Sequence, residues 1–197
     1  MNVAVVGWGS LIWCPGSLRI RTRWHRDGPR LPIEFARISA DGRLTLVIHP
    51  GSEEQTTYWA LSEYRDIEGA TQDLKEREGC SRERIAWMRT DDASGEDAIK
   101  VKIKEWLRNK IDVDAAVWTN LRSNWRDKTC QEFNAENAVR YLEEVERRQQ
   151  EAAELLKRTR GYVRNAPEQI QTQVRQRIRQ RTGWADNKLA DTLFELD

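Results

Sequence analysis

The sequence predicts an α+β fold in which a small mixed β-sheet with flanking helices is followed by a helical C-terminal extension. Short apolar segments rich in β-branched residues, separated by Gly and Pro turns, fill the first third of the chain and are typical of strands. After Asp66 the apolar residues recur at helical spacing, and the last third reads as long helices. We therefore expect one domain over residues 1–128 and an extension over residues 129–197 that packs on it.

The composition indicates a folded globular chain. It has 197 residues, of which 33% are charged and 39% hydrophobic, with a mean hydropathy of −0.80. Nine tryptophans speak against disorder, because disordered segments are poor in aromatic residues. A net charge of +1 gives no general attraction to nucleic acid or to a membrane surface.

The cysteine, histidine and leader patterns indicate a soluble cytoplasmic protein without a metal site. Cys14, Cys80 and Cys130 form an odd set without metal-ligand spacing, and neither His25 nor His49 lies near a partner ligand. We expect these thiols to be reduced, as thiols are in the cytoplasm. No cationic segment precedes an apolar one at the start of the chain, and no apolar run approaches a membrane-spanning length. We therefore expect no membrane partner.

Strand signals recur along the first 121 residues. Leu18–His25 alternates loosely and is either a half-exposed strand or a loop. The alternation slips by one residue near Ala36, and Asp41-Gly42 is a strong hairpin signal. The predicted strands are the opening run before Gly7, Leu31–Ser39, Leu44–Ile48, Thr56–Leu61, Ile85–Arg89 and Ala115–Leu121.

Helices are predicted where the apolar period lengthens. Asp66–Gly79 has that period, whereas Asp97–Lys110 is ambiguous between strand and helix, and we favour a helix that starts near Ser94. Three further helices are predicted in the last third: Asn134–Arg160, one from Pro167 to a stop at Gly183, and Leu189–Leu196.

The first candidate site is the glycine turn that follows the opening strand. Gly7 and Gly9 flank Trp8, and Ser10 and Leu11 follow. Glycine tolerates positive φ and lets backbone approach a ligand closely, so such a turn can aim several N–H groups at one place. The alternative is an ordinary turn without a binding role.

The second candidate site is Glu78. Ile67, Ala70 and Leu74 form the inward-facing stripe of the Asp66–Gly79 helix, and four residues after Leu74 comes Glu78, just before Gly79 as a C-cap. Burial and the negative end of the helix dipole would both raise the pKa of this carboxyl, which favours general acid and base catalysis. The alternative is a Glu78 that points to water or pairs with Arg77 or Arg82.

Together these stretches resemble the two motifs of the γ-glutamylcyclotransferase-like superfamily, over roughly the first 120 residues. Gly7-Trp8-Gly9-Ser10-Leu11 is similar to the Tyr-Gly-Ser-Leu loop of its ChaC-like branch, and Leu74–Gly79 is similar to the helix end that carries the catalytic Glu. The resemblance implies a small β-barrel and places Glu78 on the catalytic carboxylate. Three features depart from the pattern. Trp8 replaces the usual tyrosine, and Cys80–Trp87 contains no tyrosine although the family usually has one shortly after the catalytic Glu. The helical tail is also longer than a minimal member of the family needs.

The resemblance implies a reaction as well as a fold. The free α-amine of a γ-glutamyl compound would attack its own γ-carbonyl and release 5-oxoproline, with Glu78 as general acid and base. The Gly7–Leu11 loop would hold the substrate carboxylate or the oxyanion, and Ser10 would be a hydrogen-bonding partner and not a nucleophile. No metal or organic cofactor is required. The donor stays open between glutathione, a dipeptide and an amine adduct.

The alternative function is a non-catalytic binding or regulatory module whose basic helical tail docks a partner or nucleic acid. The residues that would grip phosphates are Lys157, Arg158, Arg160, Arg164, Arg175, Arg177, Arg179 and Arg181. We favour instead a solvated helix face whose charge is balanced by acids. Those acids are Glu143, Glu144, Glu146, Glu151 and Glu154. Nucleic acid is therefore not the expected partner, a homo-oligomer through the tail is an open alternative, and a different cyclising or amine-transfer reaction is a third.

Overall fold

The computed structural model describes residues 1–93, 95–147, 149–182 and 184. The strands within these residues are β1 Val3–Gly7, β2 Arg30–Ile38, β3 Leu44–Ile48, β4 Glu54–Thr56, β5 Tyr58–Leu61, β6 Ile85–Arg89 and β7 Ala115–Thr119. The helices are α1 Ser10–Trp13, α2 Ile67–Glu78, α3 Ala98–Arg108, α4 Trp125–Thr129, α5 Ala135–Arg147, α6 Gln149–Asn165 and α7 Gln173–Thr182. This mixed content confirms the α+β class.

The chain divides into two compact units. The first unit contains Met1–Leu31 and Thr56–Leu121, and the second contains Pro32–Gln55 with the chain from Arg122 onward. The β2–β3 hairpin thus belongs to the unit that holds the C-terminal helices, whereas the sequence grouped it with the rest of residues 1–128.

The first unit is built on a four-stranded sheet with the order β5-β1-β7-β6. β1 runs antiparallel to β5 and parallel to β7, and β7 runs antiparallel to β6. Every residue of β1 and β7 is buried, which explains why Val3–Val6 and Ala115–Trp118 are unbroken apolar runs. Because β1 and β7 are parallel, their carboxyl ends, Gly7 and Thr119, lie at the same edge of the sheet.

Helix α2 packs against β1, β6 and β7, and its ends are set by local sequence. The Asp66 side chain accepts a hydrogen bond from the amide of Gly69 at 2.7 Å, which caps the first turn. Gly79 ends the helix with a left-handed φ of 58°, a conformation that glycine adopts without strain. Leu74 is fully buried, as are its neighbours on the inward stripe. The predicted helix, its C-cap and its buried stripe are confirmed.

The second unit contains a three-stranded sheet with the order β3-β2-β4, and α5 packs against both α6 and α7. The β2–β3 register shifts between Phe35 and Arg37, which is the slip that the sequence predicts near Ala36. The described strands thus form two open sheets and no closed barrel. The expected barrel is wrong, because β2, β3 and β4 pair among themselves instead of extending the sheet around β1.

Two predictions in the first unit and its border need correction, and one open alternative is decided. Thr56–Leu61 is not one strand, since β4 ends at Thr56 and β5 begins at Tyr58. Leu18–His25 is the loop of the two predicted alternatives, and it pairs with β5 and the residue after it through isolated bridges, such as the one between His25 and Trp59. α3 begins at Ala98 because Asp97 caps it by accepting from the amide of Ile99 at 2.9 Å.

The helices of the second unit also differ from the prediction. Asn134–Arg160 is not one helix, because Arg160 pairs with Glu146, and 14 residues of continuous helix would separate the two by about 21 Å. The chain therefore turns back between α5 and α6. The helix predicted from Pro167 begins at Gln173, since Thr172 Oγ1 accepts from the amide of Arg175 at 3.2 Å and caps it there. Ser94, Gly183 and the Leu189–Leu196 helix lie outside the described residues.

Candidate active site

The turn after β1 is shaped by close packing. A Cβ atom on Gly7 would lie 3.2 Å from Ile12 Cδ1 and 3.3 Å from the Trp24 ring, so the site leaves little room for a side chain. Neither glycine of this turn has a left-handed backbone, since Gly9 has a φ of −125° and Gly7 is not among the left-handed glycines. Glycine at position 7 is explained by the approach of Trp24 and not by a left-handed backbone.

Helix α1 starts directly at this turn, with Trp8 and Leu11 buried beside it. The amide of Ile12 donates to the carbonyl of Gly9 at 3.0 Å, and the amide of Cys14 donates to Ser10 at 2.9 Å. The amides before Ile12 precede the hydrogen-bond ladder of the helix, because a helix leaves its first N–H groups without intrahelical partners. They belong to the Gly7–Leu11 loop, which the resemblance implies as the holder of a bound carboxylate or oxyanion.

Glu78, at the end of α2, is largely buried and ion-paired. Its Oε1 atom lies 2.8 Å from Nη1 of Arg77, and the two side chains are 16% and 12% exposed. Burial is the largest influence and raises the pKa of Glu78, while the charge and the hydrogen bond of Arg77 act against the rise. Glu78 therefore has the raised pKa that its place on the helix predicts, and it also has the Arg77 partner of the alternative interpretation.

Arg77 joins Glu78 to the turn. Its Nη2 atom donates to Ser10 Oγ at 3.1 Å and to the carbonyl of Cys14 at 2.6 Å, and Nε donates to the carbonyl of Pro15 at 3.3 Å. One guanidinium thus contacts both sequence-predicted groups, the Glu78 carboxylate and the Ser10 hydroxyl. The sequence considered Arg77 only as a partner of Glu78 and missed its link to α1, because nothing in the spacing places Ser10 beside it.

The contacts that the structure describes for the Cys80 thiol and the Ser10 hydroxyl do not favour either group as a nucleophile. Burial, and next to it the charge of Glu78, raises the pKa of the Cys80 thiol, so the protonated form is favoured. Ser10 Oγ receives its hydrogen bond from Arg77, which is a cation and cannot take up the hydroxyl proton. His25 stacks on Trp59 with ring centroids 4.4 Å apart. The arrangement suits proton transfer by Glu78 better than nucleophilic catalysis.

Thr119 is a further polar residue at this edge, and the sequence analysis did not single it out. It ends β7 beside the end of β1, and its hydroxyl is buried without a hydrogen-bond partner among the described residues. The β-branched side chain fits a strand, so the sequence gives no sign of a functional hydroxyl.

Comparisons with known proteins leave the family open. No match was found. No protein-family model fits the chain, and neither a curated protein nor a solved structure is similar to it. Family and function therefore have to be inferred from the chemistry of the site.

The described part of the chain holds no cluster of three or more His, Cys, Asp or Glu side chains that could bind a metal ion. Across residues 1–93, 95–147, 149–182 and 184, no helix combines the length and the apolar character needed to cross a membrane.

The basic residues of the last third are mostly engaged within the second unit. Arg175 is fully buried and donates to the carbonyls of Ala166, Pro167 and Ile170. Arg158, Arg160, Arg177 and Arg181 each pair with at least one acid. The acids of these pairs are Glu154, Glu146, Glu136 and Glu143, with Asp41 as a second partner of Arg158. Three of the acids predicted to balance this face are found in these pairs, Glu143, Glu146 and Glu154, whereas Glu136 and Asp41 were not predicted. Arg175 does not belong to a solvated face, because it is buried.

Proposed function

We propose that the chain is a γ-glutamylcyclotransferase-like enzyme that releases 5-oxoproline from a γ-glutamyl compound, with Glu78 as general acid and base. One observation carries the proposal. A buried carboxylate with a raised pKa ends α2 and is connected through Arg77 to the Ser10 turn that ends β1. The two short motifs of the resemblance, separated by 67 residues between Ser10 and Arg77, thus meet on one guanidinium.

The reaction needs only proton transfers and one acyl transfer. Glu78 takes a proton from the α-ammonium group, and the free amine then attacks the γ-carbonyl carbon of the same molecule. A new C–N bond closes the five-membered ring, and the proton on Glu78 passes to the nitrogen that leaves. The old C–N bond breaks, and Glu78 takes the surplus proton from the ring nitrogen and passes it to the departing amine, so 5-oxoproline and a protonated amine or peptide depart. Glu78 returns to its starting state, so no metal, cofactor or water is consumed.

The environment of Glu78 suits both steps. Burial raises the pKa of the Glu78 carboxyl group. The ionised form is then a stronger base, and because the raised pKa lies closer to the working pH, the protonated form is also available as a general acid. General acid and base catalysis of this kind contributes about 10²- to 10⁴-fold. Because the attacking amine and the γ-carbonyl belong to one substrate molecule, the enzyme otherwise has only to hold that substrate in a reactive rotamer.

The turn after β1 supplies the donors for the negative charge that develops. The Ser10 hydroxyl lies beside Arg77, and the leading amides of α1 follow β1 in the same turn. We expect these donors to converge on the developing oxyanion and to stabilise it. Trp8 gives the turn a buried flat wall in place of the phenol that the resemblance leads one to expect. We expect this exchange to alter which γ-glutamyl donor is preferred.

The experiment is turnover of a panel of γ-glutamyl compounds, with 5-oxoproline measured by liquid chromatography and mass spectrometry. Glu78→Gln is nearly isosteric, so we expect a loss of about 10²- to 10⁴-fold in kcat with the fold retained. Glu76→Gln is the matched control, because Glu76 lies in the same last turn but on the exposed face, where its carboxylate accepts a hydrogen bond from the Gln72 side chain. Equal turnover in Glu78→Gln and the wild type would rule out the mechanism.

The binding-module alternative has less support. It relies on free basic residues in the last third, yet Arg175 is buried and four of the other seven have acidic partners. An ion pair that is already formed has to be broken before the cation can bind a phosphate, which lowers the gain. We therefore favour the enzyme.

A further inference from the structure

We propose that Arg77 is the positioning residue of this site, whose guanidinium fixes the Glu78 carboxylate against the turn that ends β1. The inference rests on the proposed function, since the place of this carboxylate matters for catalysis only if it transfers protons. Its first support is the ion pair itself, in which Arg77 Nη1 lies 2.8 Å from Glu78 Oε1.

The Arg77–Glu78 pair differs from an ordinary ion pair on a helix surface. Successive residues of a helix point about 100° apart and do not face each other, and helical ion pairs form at spacings of three or four. Arg77 and Glu78 are successive residues and close α2. Their contact therefore needs something outside α2 that directs one of the two side chains toward the other.

The α1 region supplies that direction. Arg77 Nη2 donates to the Cys14 carbonyl and to Ser10 Oγ, and Nε donates to the Pro15 carbonyl. A guanidinium is planar and its five N–H donors form a rigid fork, so contacts on two of its nitrogens fix the third. Nη1 is the third nitrogen, so its fixed position also sets the position of the Glu78 carboxylate with which it pairs.

The competing interpretation is that the Arg77 contacts only hold α2 to the α1 region and do not position Glu78. A second contact between α2 and the segment after α1 offers a comparison. Asp73 Oδ2 accepts a hydrogen bond from the amide of Arg19 at 2.8 Å. This bond also ties α2 to the segment that follows α1, but within the described residues Asp73 is not among the charges and hydrogen bonds that act on Glu78. Asp73→Ala therefore removes a tie of the same kind and leaves the carboxylate alone.

The charges around Glu78 come from few groups. Arg77 lies on the same helix and is the cation that acts on it, and the Cys80 thiol follows just beyond the helix. From α1 and the two residues after it, the groups that reach Arg77 are a hydroxyl and two carbonyls, which carry no net charge. Without Arg77, burial is unopposed and the pKa of Glu78 moves further up.

The test measures the side-chain carboxyl titration of Glu78 by ¹³C NMR, together with the pH profile of kcat. In Arg77→Gln we expect Glu78 to titrate at higher pH than in the wild type. The acid limb of kcat should move the same way, and the maximal kcat should fall about 10²-fold because the carboxylate is no longer held in place. In Asp73→Ala we expect a loss of stability with the Glu78 titration unmoved.

Arg77→Lys separates charge from geometry. A lysine restores the positive charge, so the titration of Glu78 should return toward the wild type. Its single ammonium cannot reach Glu78, Ser10 and the Cys14 carbonyl together, so the maximal kcat should stay low.

Two outcomes overturn the proposal: an unchanged Glu78 titration in Arg77→Gln, or full recovery of kcat in Arg77→Lys. The NMR measurement needs no activity, so it decides whether Arg77 holds Glu78 even if the wild type releases no 5-oxoproline. That last result would count against the proposed function alone.

Discussion

Thr119 ends β7 at the edge of the sheet where Gly7 ends β1, because the two strands run parallel with Val6 beside Trp118. The Thr119 hydroxyl is buried and finds no hydrogen-bond partner in the part of the chain that the structure describes. A buried polar group without a partner costs free energy, and natural proteins keep such groups rarely. The edge that carries the Ser10 turn is therefore a place where the fold is not optimised for stability.

Replacing Thr119 by Val should raise the free energy of unfolding. The exchange keeps the β-branched shape and removes the orphaned hydroxyl, so we expect a gain of about 1 kcal/mol in guanidinium chloride unfolding. Thr57→Val is the matched control, because the buried Thr57 hydroxyl donates to the Pro29 carbonyl at 2.7 Å. The control should lose about 1 kcal/mol. Losses of similar size in both variants would mean that Thr119 has a partner after all.

Gly7→Ala tests the packing of the turn. The new Cβ would lie 3.2 Å from Ile12 Cδ1 and 3.3 Å from Trp24, closer than side chains normally approach. We expect a loss of about 1–3 kcal/mol from overpacking, and a fall in turnover because Ile12 belongs to the helix that carries Ser10. Gly161→Ala is the control, since Gly161 lies within α6 with open space around its Cβ position and should gain up to about 1 kcal/mol. A Gly7→Ala variant as stable and active as the wild type would refute the packing explanation.

Local patterns in the sequence were enough to predict α2 and the environment of Glu78. The stripe that contains Leu74 fixes which face of the helix is buried, and Gly79 fixes where the helix ends, so the burial of Glu78 follows from spacing alone. The bulge near Ala36 was predictable for the same reason, because a break in period two is visible along a single strand.

The partners of these elements could not be predicted in the same way. Periodicity tells which face of an element is buried but not which element covers it, so the split into two sheets and the meeting of Arg77 with Ser10 were missed. The reversal between α5 and α6 was missed because the apolar spacing continues through it and residues 143–153 contain no Gly or Pro.

The raised pKa of Glu78 predicts how stability depends on pH. Burial raises the folded-state pKa of Glu78 above the ordinary value of 4.5, so between these two values the folded chain binds more protons than the unfolded chain. The stabilising contribution of the Glu78 carboxyl group is therefore complete below pH 4.5, and it is lost as the pH rises through the folded-state pKa. In Glu78→Gln this loss is absent.

The measurement is denaturant unfolding of the wild type and of Glu78→Gln at a series of pH values. We expect the stability of the variant relative to the wild type to increase as the pH rises from the ordinary carboxyl range, and then to level off. Glu34 also has a pKa raised by burial, but it is present in both proteins and cancels in the difference. A difference that stays constant across the series would show that Glu78 titrates normally.

Arg175 is a fully buried member of the basic residues in the last third of the chain. Its guanidinium is fully buried and donates to the carbonyls of Ala166 at 2.5 Å and of Ile170 at 2.8 Å, which ties α7 to the segment before it. Arg175→Met removes these bonds and leaves buried carbonyls unpaired, so we expect a loss of about 3 kcal/mol or more. Arg177→Met is the control, because Arg177 is half exposed and its pair with Glu136 at 3.3 Å should contribute less than about 1 kcal/mol. If Arg175→Met instead keeps the wild-type stability and weakens salt-dependent binding to RNA or DNA, the basic helices act as a docking surface and the binding-module alternative gains over the enzyme.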